Sequence, residues 1–104
     1  MIFSIYILEC ADGSYYTGLT RRPVEERVWE HNAGIVPGHT HSRRPVTLRC
    51  VETTESAWEA ISRERQVKGW SRRKKEALIA GNYEALPALA SNAVARPRGS
   101  TGSP

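Results

Sequence analysis

The chain has 104 residues, 15 Lys and Arg against 11 Asp and Glu, a formal charge of +4 and two cysteines. That length makes one domain around a single modest core, and the absence of any run of about eighteen apolar residues excludes a membrane-spanning helix. The opening Met1–Leu8 lacks a basic stretch and a small-residue cleavage site, and Cys10 and Cys50 lack metal-ligand spacing, so a cytoplasmic protein with reduced thiols is expected.

Residues 2–9 are rich in aromatic and β-branched side chains and predict a strand, with Tyr15–Leu19 as its partner. Asp12-Gly13 between them suits a tight hairpin connection. Pro23 fits the first turn of a helix that runs to about Asn32 and stops at Ala33-Gly34. Pro37-Gly38 and Arg44-Pro45 mark residues 35–45 as a loop. Val46–Val51 alternates as a third strand. Ser56 with Glu59 has the form of a capping box for a helix ending near Lys68 at Gly69, and Ser71 starts another that ends at Gly81. The expected fold is α/β of the α+β kind, a three-stranded, mainly antiparallel sheet flanked by helices in the order β-β-α-β-α-α. It occupies residues 1–84. From about Leu86 the chain turns to Ala, Pro, Ser, Gly and Arg, and residues 85–104 are expected to be a disordered tail.

Both main helices carry charge on the apolar face. In the first, Val24 and Val28 define the inner side, and at about 100° per residue Arg27 and His31 fall beside them, with Glu25, Glu26 and Glu30 pointing away. An inward charge must find a partner or line a wet cleft. Arg27 could equally lie at the seam's edge and carry its head to water. In the second helix Ala57, Ala60, Ile61 and Val67 form the stripe and Glu64 interrupts it. Glu64 is either a structural ion pair, to Lys68 or Arg27, or a hard-oxygen metal ligand of the kind Mg²⁺ takes. Tyr6 and Tyr16 are ordinary strand residues that a hairpin can bring together. Gly18 marks either a close backbone approach or the strand end.

The order of these features resembles the GIY-YIG nuclease superfamily, in its small stand-alone bacterial branch related to the nuclease domain of the excision-repair subunit. Ser4-Ile5-Tyr6 stands where the first tripeptide belongs and Tyr16-Thr17-Gly18 where the second does. Arg27 matches the helix arginine, His31 a histidine one turn later, and Ala60–Glu64 the segment ending in the metal-binding glutamate. Arg43-Arg44-Pro45-Val46 and Lys68–Lys75 are similar to the stand-alone branch in particular. Ser4 replaces the first glycine, and Leu19 stands where some members have a lysine that assists catalysis.

The resemblance implies a Mg²⁺- or Mn²⁺-dependent endonuclease acting on phosphodiester bonds of DNA, in repair or processing of branched or damaged DNA, as a monomer or weak dimer. It implies Glu64 as the ligand of one divalent ion and Arg27 as the neutraliser of phosphoryl charge. Tyr6, Tyr16 and His31 remain open as the group that activates water. A phenol of pKa about 10 is only about one part in a thousand ionised at pH 7, a deficit of roughly 4 kcal/mol, so imidazole is the easier base. Gly18, Arg43, Arg44, Lys68, Arg72, Arg73 and Lys74 are the expected nucleic-acid contacts. The competing expectation is a module that binds nucleic acid through those cations without cutting it. His39 and His41 are expected to touch phosphate or face solvent, not to hold a transition metal.

Overall fold

The computed structural model describes residues 1–81, so the tail expected over 85–104 lies outside the described residues. The elements follow in the expected order: β1 (Phe3–Glu9), β2 (Tyr15–Thr20), α1 (Val24–Asn32), β3 (Thr47–Thr54), α2 (Ala57–Lys68) and α3 (Arg72–Ile79). The chain forms two compact units, Met1–Gly69 and one beginning at Trp70. The whole sheet, α1 and α2 belong to the first.

The strands run β2-β1-β3, and both pairings are antiparallel. β1 is central, and its Ile5–Leu8 are buried on both faces, which is why it reads as an unbroken apolar run. The two-residue period sends Tyr6 and Leu8 to one face and Ile5 and Ile7 to the other. On the first face Tyr6, Leu8, Cys10 and Val46 form the core, with Val24 and Val28 of α1 packed on it. On the second lies α2. Glu52, the β3 partner of Ile5, accepts two hydrogen bonds from Arg63 of α2, at 2.7 and 3.0 Å.

The third strand departs from its expected bounds at both ends. Val46 is a buried core residue just before β3, because Asn32 takes its backbone groups: Val46 N donates to Asn32 Oδ1 at 2.7 Å, and Asn32 Nδ2 donates to Val46 O at 3.1 Å. At the other end Glu52, Thr53 and Thr54 continue the ladder against Ile5, Ser4 and Phe3.

Helix boundaries follow local chemistry. α1 has Pro23 at its N-cap with no side-chain cap, and Gly34, at φ 79°, lets the chain turn away after Ala33. Ser56 accepts from Glu59 N at 3.2 Å, but the Glu59 carboxylate goes to the Thr54 hydroxyl at 3.0 Å, so only half of the capping box forms. Ser71 caps α3 by accepting from Lys74 N at 3.2 Å.

The inner face of α2 is rotated from the expected stripe. Ala60 and Val67 are buried with Arg63 and Glu64 half-buried between them, whereas Ala57 is exposed and Ile61 is 41% exposed. The Arg63–Glu52 pair draws that side of the helix onto the sheet.

Candidate active site

The site begins with a register. Tyr6 stands directly opposite Gly18 across β1 and β2, on the sheet face that also carries Tyr16. A Cβ at Gly18 would overlap the Cζ and hydroxyl of the Tyr6 ring, so the ring lies flat across this point of β2 only because no side chain is there. Gly18 is therefore a mid-strand close approach, and the two-residue spacing from Tyr16 has a steric cause. Tyr6 and Tyr16 are diagonal neighbours with ring centroids 6.4 Å apart.

Two buried side chains fix Tyr6. Its hydroxyl is 3.1 Å from His31 Nε2, and His31 Nδ1 is 2.8 Å from the hydroxyl of Thr40. His31 is wholly buried and Thr40 nearly so. Both imidazole nitrogens are thus engaged out of reach of water. Burial, and then the Arg27 cation, hold His31 below its ordinary pKa. Of the three groups left open as the base, His31 is thus the one buried behind Tyr6, with its Nε2 on the Tyr6 hydroxyl. Burial also pushes the Tyr6 phenol up, against the opposing pull of the neighbouring Arg27.

Tyr16 lies at the edge of this cluster. Its ring meets His31 edge-on at 5.2 Å and stacks on His39 at 6.3 Å with planes 18° apart. Among the described residues its hydroxyl has no hydrogen bond, in contrast to that of Tyr6. Lys68 lies near enough to feel it. Glu64 chiefly, and Tyr16 more weakly, hold the Lys68 ammonium above its ordinary pKa. Glu64 is only 15% exposed and pairs with Lys68 at 2.9 Å, the structural alternative weighed for it.

Arg27 is half-buried, as expected of an inward charge, but Glu30 does not point away. Its carboxylate is 17% exposed and accepts from Arg27 Nη1 at 2.9 Å and from both Arg22 Nη atoms at 2.7 and 2.8 Å. Arg22 first and Arg27 second hold it down to about 2. The helical wheel missed this because Arg22, just before α1, reaches along the helix and draws Glu30 toward the sheet side. Arg27 also lines a cleft of about 510 Å³ with Arg21, Arg22, Leu19 and Ile61.

The other expected cations are divided in role. Arg43 donates to Asp12 at 3.0 Å and to His39 O at 2.8 Å, and Arg44 donates to His41 O at 2.7 Å. Both therefore brace the 35–46 loop with part of their guanidinium. In the second unit Arg72 pairs with Glu76 at 3.0 Å and Arg73 is exposed. Lys74 is not a solvated cation: it is buried, with its ammonium 4.0 Å from the Trp70 ring centroid. Among the described residues no group of three or more His, Cys, Asp or Glu could hold a metal.

A paired tyrosine hairpin, a helix arginine and a carboxylate on the next helix define a class, and residues 2–77 match the GIY-YIG catalytic domain. The chain belongs to that family. It is 51% identical over 75 residues to a UPF0213 protein of Halobacterium salinarum, covering 72% of this chain and 96% of that one. A UPF0213 protein of Staphylococcus saprophyticus is 44% identical over 75 residues, covering 72% and 90%. Among solved structures, the solution structure of a UPF0213 protein from Bacillus halodurans is similar at 41% identity and a TM-score of 0.51, covering 86% of this chain and 98% of that one. An E. faecalis protein is similar at 31% identity and a TM-score of 0.56, covering 81% and 88%.

Proposed function

We propose that this protein is a divalent-metal-dependent endonuclease hydrolysing phosphodiester bonds in DNA, with Tyr16 as the base, Arg27 as the phosphate-facing cation and Glu64 as the metal ligand. The observation that carries the reading is the difference between the two tyrosines. The Tyr6 hydroxyl is tied to His31 and burial pushes its phenol up, whereas among the described residues the Tyr16 hydroxyl has no hydrogen bond.

The donor set fits a hard metal ion. Glu64 offers one poorly solvated carboxylate, and the Lys68 ammonium at 2.9 Å marks it as a place where a cation is held. One carboxylate, with phosphate and water completing the shell, is an ordinary Mg²⁺ arrangement. Such an ion, when bound, supplies charge stabilisation to the scissile phosphate and the leaving oxygen. The remaining work falls to side chains. Arg27, aimed by Glu30, presents its fork to phosphoryl oxygens. As the base, the Tyr16 oxygen takes the proton of the attacking water. The Tyr6–His31–Thr40 chain holds the first tyrosine as a rigid wall. Repair or processing of damaged or branched DNA is the setting this reading favours, with residues 1–84 as the working unit.

The Glu64–Lys68 pair also favours a second reading, a nucleic-acid-binding module without chemistry, in which that carboxylate is structural. A nicking assay on labelled single-stranded, duplex and branched DNA and on RNA, with Mg²⁺ or Mn²⁺, decides between them. The nuclease reading expects metal-dependent cuts that Glu64→Ala abolishes while binding persists. Binding without cutting across the whole panel establishes the second reading.

A further inference from the structure

His39 is exposed, as expected, and its side chain is placed by a closed polar ring. Its Nε2 lies 2.9 Å from Ser14 Oγ, and Ser14 Oγ donates to Asp12 Oδ1 at 2.6 Å. Asp12 Oδ2 accepts from Arg43 Nε at 3.0 Å, and Arg43 Nη1 donates to His39 O at 2.8 Å. Ala11 N donates to Arg43 O at 2.9 Å, joining the hairpin and the loop by backbone as well.

The ring fixes the imidazole tautomer. A serine hydroxyl has one proton, and a carboxylate only accepts, so the Ser14 proton is committed to Asp12. Ser14 Oγ must then accept from His39, whose Nε2 carries the hydrogen. Nδ1 is left as the lone-pair nitrogen of the neutral ring. With its Nε2 end anchored on the hairpin, the ring plane lies 18° from that of Tyr16 at 6.3 Å. The opposite constraint on Tyr16 comes from His31, edge-on at 5.2 Å. Tyr16 therefore stands between two imidazoles, one buried and one exposed, each oriented by a hydroxyl: Thr40 for His31, Ser14 for His39.

We propose that His39 is a positioning residue for Tyr16, locked as its Nε2–H tautomer by the Ser14–Asp12 relay so that the stacked imidazole sets the direction of the phenol. Its kinetic consequence rests on the nuclease reading above, but the placement of Tyr16 does not.

Two measurements on the full chain test it. Two-bond ¹H–¹⁵N NMR of the imidazoles should show neutral His39 as the Nε2–H form, and Ser14→Ala should release that preference. Tyr16 ring-proton signals should shift in His39→Ala, and His39→Phe, which keeps a flat ring but loses the anchor, should not return them to their wild-type positions. In single-turnover cleavage His39→Ala should lower the rate roughly tenfold or more with little change in KM, because a misdirected reacting group loses rate and not binding, and His39→Phe, without the anchor, should recover little of it; full recovery by His39→Phe overturns the proposal. An Nδ1–H tautomer in the wild type, or Tyr16 signals that ignore His39→Ala, overturns the proposal. So does a cleavage rate that His39→Ala leaves unchanged. If the wild type cuts nothing, the nuclease reading fails, and the Tyr16 ring signals still decide whether His39 positions that ring.

Discussion

Tyr6 and Gly18 face each other across β1 and β2, and the phenol occupies the volume that a side chain at position 18 would need. Gly18→Ala must expel the ring and break its bond to His31. Overpacking of this kind costs about 1–3 kcal/mol, to be read as a lower midpoint in chemical denaturation. An unchanged midpoint would show that the ring has room to move.

The two tyrosines should respond in opposite ways to loss of the hydroxyl. Tyr6→Phe leaves His31 Nε2 without its partner in a buried place, which should lower stability by about 1–3 kcal/mol. Tyr16→Phe removes a hydroxyl with no hydrogen bond among the described residues and should leave stability within about 0.5 kcal/mol while abolishing cleavage. Melting curves alongside single-turnover rates check both, and a Tyr16→Phe variant that cuts normally removes Tyr16 from the chemistry.

Glu64→Gln keeps the size of the side chain and removes the charge, whereas Arg27→Lys keeps the charge and loses the fork. Each variant should fold, bind DNA and lose most metal-dependent cutting. Equal cutting by wild type and both variants would place any observed activity elsewhere.

Acid stability should report Glu30. Its carboxyl is held near about 2 instead of the ordinary 4.5, so the ionised form favours the fold. The contribution is whole above the ordinary value and disappears as pH falls toward the lower one. Glu30→Gln should therefore show a shallower loss of stability across that window than wild type. Parallel curves would mean that Arg22 and Arg27 do not hold the carboxylate in solution.

Arg43 and Arg44 combine two roles, and salt separates them. Replacing both by Gln should flatten the slope of log affinity against log salt by up to about two units. The same change should lower stability, because their donors hold the His39 and His41 carbonyls. A lower midpoint with an unchanged slope would assign them to the loop alone.

The element order, the hairpin and the inner position of Arg27 were legible because each rests on local periodicity or turn chemistry. Gly18 was legible as a close approach only in outline, since its reason is the ring of a residue twelve positions earlier. What stayed hidden depends on distant partners. Glu30 seemed outward until Arg22 pulled it in, and nothing in the pattern pointed to the pairing of Arg63 with Glu52. Thr40 carried no signal at all: a threonine in a loop is unremarked until a buried histidine needs its hydroxyl. His31 looked the easier base from intrinsic pKa, a quantity blind to the fact that both of its nitrogens are taken.

The ties that assemble the site reach far along the chain: Tyr6 to His31 and Ser14 to His39 each join residues 25 positions apart, and Asp12 to Arg43 spans 31. Such contacts form late, after the intervening loops have closed. A nascent chain that has emerged only through its hairpin and α1 has both tyrosines and the arginine but neither the bracing loop nor the carboxylate of α2. The grouping of Tyr6, Tyr16, Arg27 and Glu64 therefore comes into being only with the completed fold.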